Sequence, residues 1–331
     1  MDYEPPFLET YKTLLQKHLG DSKTDSSFSV VETCELPLID LSRLALENPE
    51  RDECIREVSE AASRWGFFQV VNHGISQELL GSIQYEQRKV FYQPFVNKCS
   101  EYVFDLSAKT YRWGNPSATN LRQLSWSEAF HFPLTDISRM HHQHISLRSS
   151  LDAFATRMAP LAESLAEILA CKVNVKSSYF PQNCLPKSSY IRLNRYPPCP
   201  ISSNVYGLLP HNDTSFLTIV YQDHVGGLQL LKDGKWIGVK PNPRALVVNI
   251  GDLFQALSND VYKSIKHRVV AAEKVERFSI AFFYCPSEQA EIQSNLKPTI
   301  YRKFTLREYI EQTQIDVKHS GDKVGLSRFV L

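Results

Sequence analysis

Pro210-His211-Asn212-Asp213-Thr214-Ser215-Phe216-Leu217-Thr218-Ile219-Val220-Tyr221-Gln222 sets a His-x-Asp step against a run of β-branched and aromatic residues. That composition suits a pleated, half-buried strand. The run has neighbours of the same kind. Strands are expected over 190–196, 214–222, 227–231, 235–240, 245–250, 263–271 and 277–285. Between them lie the turn signals Pro197-Pro198, Gly226-Gly227, Asp233-Gly234, Asn242-Pro243 and Gly251-Asp252. Short strands in close succession with no helix between them predict a β-sandwich or jelly roll, not a parallel sheet.

Upstream the periodicity changes to helical. Asn48 reads as an N-cap with Pro49 at the first helical position, and Cys54, Val58, Ala61 and Trp65 follow at helical spacing up to Gly66. Residues 67–71 form a strand that ends in the turn Asn72-His73-Gly74, where His73 is expected to be structural. Ser76 caps a second helix running toward Pro94, and a third spans about 151–171, where Pro160 should kink it or end its first half. Beyond the β-rich part, Thr305-Leu306-Arg307-Glu308 is a capping box that opens a final helix. Residues 1–35 are expected to be flexible, with a short amphipathic piece (Leu8, Tyr11, Leu14, Leu15) and a Ser/Thr/Asp linker over 21–29. The expected division is therefore 1–35, a helical layer over 36–185, a β core over 186–290, and a C-terminal helix and tail over 291–331.

Composition narrows the function classes. The 331 residues are 43% hydrophobic, enough for a large core, and 37 Lys+Arg against 36 Asp+Glu leave a net charge of +1. No basic stripe suggests a nucleic-acid partner, and no apolar run approaches the length of a membrane span. The acidic, proline-broken start Met1-Asp2-Tyr3-Glu4-Pro5-Pro6 does not resemble a signal peptide, so an intracellular protein is expected. Seven cysteines (34, 54, 99, 171, 184, 199 and 285) form no Cys-x-x-Cys unit and are expected to be buried small hydrophobes.

The chemistry starts at the His-x-Asp step. In extended chain His211 and Asp213 point to one face, offering an imidazole nitrogen and a carboxylate oxygen to the same place. The best third ligand is His267, within Lys263-Ser264-Ile265-Lys266-His267-Arg268-Val269. Two His and one carboxylate make a facial triad whose open positions suit Fe(II) with O₂ and an organic co-substrate. On the next strand Arg277 and Ser279 share a face, and a guanidinium among Phe278, Ile280 and Phe282 needs an anionic partner. A dicarboxylate co-substrate would supply it. Asn194 and Tyr196, also on one face, are placed to hydrogen-bond a bound keto acid. Asn212 should point away from the metal. His141-His142-x-His144, in a polar stretch, reads as a solvated loop.

The order Asn194-x-Tyr196, His211-x-Asp213, His267, Arg277-x-Ser279, together with the stretch from Trp65 to Gly74, resembles the plant Fe(II)/2-oxoglutarate-dependent dioxygenases. The resemblance implies a double-stranded β-helix core, Fe(II) on His211, Asp213 and His267, and the distal carboxylate of 2-oxoglutarate on Arg277 and Ser279. It also implies use of O₂, release of succinate and CO₂, and ascorbate as reductant in assays. Three further stretches, over 111–119, 124–131 and 321–327, are similar to gibberellin 2-oxidases that act on twenty-carbon gibberellins. That similarity implies 2β-hydroxylation of a diterpenoid acid in the cytoplasm, the nucleus being a second option. In the first two stretches Arg112, Trp113, Arg122 and Trp126 are the candidate substrate contacts, an arginine being suited to a substrate carboxylate. For Trp113 and Trp126 the competing reading is packing of the helical layer on the barrel. Two rival functions stay open: a flavonoid-oxidising dioxygenase with the same core, and a non-catalytic jelly roll that binds a small carboxylic acid. The oligomeric state is also open.

Overall fold

The computed structural model describes residues 2–331 except 21–30, 101–102, 107–109, 117, 177, 185–187, 202–204 and 322. The chain opens with α1 (Phe7–Gly20), β1 (Thr33–Cys34), β2 (Leu38–Asp40), α2 (Glu50–Trp65), β3 (Phe67–Val71), α3 (Gln77–Phe91) and α4 (Phe95–Lys98). It continues through β4 (Tyr111–Trp113), β5 (Glu128–Pro133), α5 (Leu134–Ile137), α6 (Ile145–Cys171) and α7 (Tyr179–Asn183). The β-rich part holds β6 (Tyr190–Tyr196), β7 (Tyr206–His211), β8 (Leu217–Gln222), β9 (Leu228–Lys232), β10 (Lys235–Val239) and β11 (Leu246–Ile250). After α8 (Asp252–Leu257) come β12 (His267–Val270), β13 (Arg277–Tyr284), β14 (Glu291–Ile292), β15 (Phe304–Thr305) and α9 (Leu306–Ser320). Among the described residues no helix is long and apolar enough to cross a membrane.

Two sheets make the jelly roll. One runs β1-β10-β9-β12-β7 and the other β2-β3-β11-β8-β13-β6-β5-β4. The larger sheet carries the helices: Phe154 and Met158 of α6 and Val58 of α2 share one core with Ile219, Val248 and Ile280 of the sheet. Four of its strands, β2 to β5, come from the region before residue 186, so the expected helical layer and β core share one sheet. The strand β5 was not anticipated; its first three residues, Glu128, Ala129 and Phe130, are all buried, so it lacks the alternation that marks a half-buried strand.

Local rules explain most elements. Acidic Glu50, Asp52 and Glu53 fill the first turn of α2, where the helix dipole favours negative charge. The cap falls at Pro49, one residue later than expected. Gly66 ends α2 at φ 63°, and a Cβ there would lie 2.5 Å from the Lys263 carbonyl oxygen, so this position requires glycine. The capping box of Thr305 and Glu308 is formed as expected.

Four expectations need correction. Of the two outcomes expected at Pro160, an end to the helix is not seen: α6 runs over 27 residues with the proline inside it. Thr156 and Pro160 face solvent, so water can satisfy the carbonyl that the proline leaves without a donor, while buried Phe154, Met158, Ala162 and Leu165 hold both halves to the core. The β-rich part does contain a helix, α8, where only a turn was expected at Gly251-Asp252. Residues 7–20 are not a flexible lead-in, because α1 docks by burying Phe7 and Tyr11. The linker expected over 21–29 lies outside the described residues. Cys54, Cys199 and Cys285 are buried as expected, but Cys99 and Cys171 are exposed.

Behind the larger sheet sits a buried charge cluster. Glu128 of β5 accepts from the Lys98 ammonium, the Tyr111 hydroxyl and, at 2.7 Å, the Arg195 guanidinium. Arg195 also reaches Glu4 at 2.6 Å and Glu276 at 3.0 Å, and Lys98 donates to the Tyr3 carbonyl at 2.7 Å. The first residues of the chain are thereby tied to the back of the strand whose front carries Asn194 and Tyr196.

Candidate metal centre and co-substrate site

His211 ends β7 and stands directly across the ladder from His267, the first residue of β12. The chain leaves the strand after His211, and Asp213 follows in irregular backbone that is tied down by a hydrogen bond from the Asp252 amide to its carbonyl, 2.8 Å. Ligand atoms of His211, Asp213 and His267 all lie within 4.8 Å of one another, and among the described residues this is the one such group of three.

Each ligand is oriented by a second partner. The Nδ1 atoms of His211 and His267 face the backbone carbonyls of Leu209 and Ile265, at 2.7 and 3.1 Å. Those contacts require N–H at Nδ1, so Nε2 is the nitrogen that each ring turns toward Asp213 Oδ1, 3.3 and 3.7 Å away. The other carboxylate oxygen, Oδ2, is taken by the Thr218 hydroxyl at 2.7 Å and the Asn249 amide at 2.9 Å. Burial by itself would raise the Asp213 carboxyl, but His267, His211 and the Asn249 amide outweigh it and hold the group far below the usual carboxylate range. Burial, reinforced by neighbouring His211, pushes His267 down to about 4. Two imidazoles and one carboxylate, converging from one side, are a donor set that fits Fe(II) and leaves the opposite side open.

Asn212 turns away from the triad, donating to the Ser264 carbonyl at 2.9 Å. From the C-terminal tail Lys323 donates to the Asn212 carbonyl at 2.9 Å and to the Thr214 hydroxyl at 3.1 Å, and it pairs with Asp252 at 2.7 Å. The tail thus pins the loop that bears Asp213. Of the stretch 321–327, Asp322 lies outside the described residues.

A cavity of about 220 Å³ opens on the triad and is lined also by Asn194, Tyr196, Arg277 and Ser279. Arg277 is 3% exposed. Its partners are neutral: Gln222 Oε1 at 2.8 Å, Ser279 Oγ at 3.4 Å and the face of Tyr196, whose ring centroid is 4.8 Å from the guanidinium carbon. Its Nε has no partner, and among the described residues no carboxylate pairs with it. A buried cation without a counter-ion is costly, so the site fits an anionic ligand. Asn194 donates to Ser279 Oγ at 3.4 Å and completes this polar end.

The four residues expected at the substrate fare differently. Trp126 is 4% exposed and stacks on Phe7 of α1 at 4.6 Å, while Trp113 meets Phe7 and Phe95 edge-on. Both pack the N-terminal helix; neither lines the cavity. Arg112 is exposed on β4, and the Arg122 side chain lies outside the described residues. Sequence reasoning missed Thr218, Gln222, Asn249 and Lys323. For Asn249 a signal exists: one amide within Leu246-Val247-Val248-Asn249-Ile250, an otherwise apolar strand. His73 accepts from the Ile75 amide at 3.2 Å and is a turn residue, and His141 and His142 are exposed.

Two family models match the chain, the 2OG-Fe(II) oxygenase superfamily over residues 187–286 and the non-haem dioxygenase in morphine synthesis N-terminal region over 36–146. Gibberellin 2-beta-dioxygenase 8 of Arabidopsis thaliana is 52% identical over 99% of this chain and 98% of its own length. Gibberellin 2-beta-dioxygenase 7 of the same plant is 46% identical over the whole of both chains. The crystal structure of JOX2 in complex with 2OG, Fe and JA superposes with a TM-score of 0.76 at 30% identity, covering 95% of this chain and 97% of that one.

Proposed function

We propose that this chain, which belongs to the Fe(II)- and 2-oxoglutarate-dependent dioxygenases, hydroxylates a gibberellin at its 2β position. The observation that carries the reading is the juxtaposition, in one cavity, of an oriented His-Asp-His triad and a buried arginine that lacks a counter-ion. The full-length likeness to two gibberellin 2-beta-dioxygenases supports a diterpenoid acid as substrate. A flavonoid substrate and a non-catalytic carboxylate-binding role have no comparable observation behind them.

In this reading His211, Asp213 and His267 hold the metal, and the backbone carbonyls of Leu209 and Ile265 keep both imidazoles in the ligating tautomer. Thr218 and Asn249 fix one oxygen of Asp213 so that the other faces the metal. Arg277 and Ser279 take the distal carboxylate of 2-oxoglutarate, with Asn194 and Tyr196 shaping the same end. Bound Fe(II) supplies the redox chemistry, in which 2-oxoglutarate and O₂ give succinate and CO₂ and one oxygen atom enters a substrate C–H bond. Residues 186–290 are then the catalytic region, 36–185 its supporting layer and 291–331 the segment that closes on the metal loop, in a protein acting in the cytoplasm.

Anaerobic loading with Fe(II) and 2-oxoglutarate, then exposure to air with nineteen- and twenty-carbon gibberellins, tests this. A 2β-hydroxylated product with equimolar succinate is expected. Iron-dependent oxidation of a flavanone or dihydroflavonol, with every gibberellin left intact, would overturn it.

A further inference from the structure

The cavity holds a second arginine that the metal and co-substrate do not need. Arg192 lines it from the middle of β6, on the same face as Asn194 and Tyr196. It is only partly buried, and among the described residues no carboxylate pairs with it. Across the ladder its neighbours are Ala281 and His131. Ala281 is small enough to leave space in front of the guanidinium. His131 adds no charge: burial, then Arg192 and Arg112, push its imidazole down to about 4, so it is neutral at physiological pH. Asp136, the acid that acts on His131, is already paired with Arg139 at 3.4 Å.

Arg192 and Arg277 mark two separate anion positions. Tyr196 pairs with Arg277, and Arg192 lies four residues earlier on the same strand, so the two rows are about 13 Å apart at about 3.3 Å per residue. A five-carbon diacid that reaches from the metal to Arg277 does not extend to Arg192 as well. Beyond Arg192 the surroundings turn apolar. Tyr190 and Thr214 line this cavity and also a larger one of about 560 Å³, where Pro133, Leu306 and Ile310 give an apolar wall and the carboxylate of Glu288 is paired with Arg307 at 2.8 Å. Phe283 stacks on Tyr190 with centroids 4.4 Å apart. One cation beside an apolar, ring-lined space suits a molecule with a single carboxylate on a hydrocarbon skeleton.

We infer that Arg192 binds the carboxylate of the prime substrate and is the residue by which this enzyme selects a free acid over its neutral derivatives. The inference rests on the gibberellin reading and names the group through which that substrate is recognised. Arg192 takes the role that the sequence had suggested for Arg112 or Arg122.

The test compares wild type, Arg192→Lys and Arg192→Gln with a gibberellin acid and its methyl ester, by steady-state kinetics and by anaerobic equilibrium binding to the Fe(II)- and 2-oxoglutarate-loaded protein. Loss of a hydrogen-bonded charge predicts roughly 10- to 100-fold weaker binding of the acid to Arg192→Gln. The ester should bind wild type and Arg192→Gln alike, Arg192→Lys should fall between, and the KM for 2-oxoglutarate should stay within about twofold, which also reports an intact fold. Unchanged affinity for the acid, or equal weakening of acid and ester, would overturn the inference while leaving the function standing. A wild-type enzyme that oxidises no gibberellin would sink the function, and this inference with it.

Discussion

Tyr196 lies directly across the β6–β13 ladder from Arg277, its ring centroid 4.8 Å from the guanidinium carbon. The ring holds the guanidinium by a cation–π contact. The orientation of this cation is therefore set by the protein itself, as the proposed grip on a co-substrate carboxylate requires.

Arg277→Leu should bind iron normally but need far more 2-oxoglutarate. Removing one side of a buried charged pair costs about 2–5 kcal/mol. That corresponds to roughly 30- to 4,000-fold weaker binding. Arg277→Lys keeps the charge but loses the planar fork, and an intermediate defect is expected. Titrating 2-oxoglutarate into the anaerobic, iron-loaded variants measures this, and unchanged affinity in Arg277→Leu would refute the assignment.

His211→Ala, Asp213→Ala and His267→Ala should each abolish turnover with the fold retained, because the three side chains converge on one point within 4.8 Å. Asn249→Ala is the subtler variant. It frees Asp213 Oδ2, held at 2.9 Å, to rotate. Losing such an orienting partner should weaken iron binding about 10- to 100-fold. Metal content after dialysis against a graded chelator decides it; wild-type retention in Asn249→Ala would show that Thr218 suffices.

Ser279→Ala removes one hydroxyl from the polar end of the cavity. A rise in the KM for 2-oxoglutarate equivalent to about 0.5–1.5 kcal/mol is expected. A change confined to the KM of the prime substrate would place Ser279 on the wrong ligand.

Glu128→Gln should be a stability variant. Lys98 and Glu128 are both wholly buried, and Arg195 lies 2.7 Å from the same carboxylate. Neutralising Glu128 leaves the buried Lys98 ammonium without its carboxylate, while Arg195 keeps Glu4 and Glu276, at a cost of about 3–5 kcal/mol. Urea unfolding reads it directly, and a midpoint like that of wild type would contradict the burial of this network.

Phe7→Ala tests the docking of α1. Phe7 is 2% exposed and stacks on Trp126. Truncating such a buried phenylalanine costs about 3–5 kcal/mol. A lower Tm with an unaltered 2-oxoglutarate KM is expected; loss of gibberellin affinity without loss of stability would return Trp126 to the substrate site.

The Arg-x-Ser pair was legible because period-2 alternation places i and i+2 on one face, and because a charged residue in an apolar strand calls for a partner. The His-x-Asp step was legible from its donor chemistry, but it is the turn after β7, not strand alternation, that brings Asp213 to His211. The helix ends at Gly66 and Thr305 were equally local. What could not be read was partnership across long chain separations. Thr218 and Asn249 meet Asp213 only because β8 and β11 bracket its loop, and Lys323 reaches that loop from 109 and 111 residues away.

Alternation and residue chemistry by themselves pointed to a β-sandwich or jelly roll, a candidate His-Asp-His triad and an arginine in need of an anionic partner, because these are local properties. The choice of the double-stranded β-helix, and of Fe(II) with 2-oxoglutarate, came with the family resemblance. Only the tertiary structure decided the rest. It assigned Trp113 and Trp126 to holding α1, drew the N-terminus onto buried Arg195, and set Arg192 in the cavity. An aromatic or an arginine satisfies the same local pattern whether it packs a helix or meets a ligand. The strand order β13-β6-β5-β4 settles which, by fixing the face each side chain turns to the cavity.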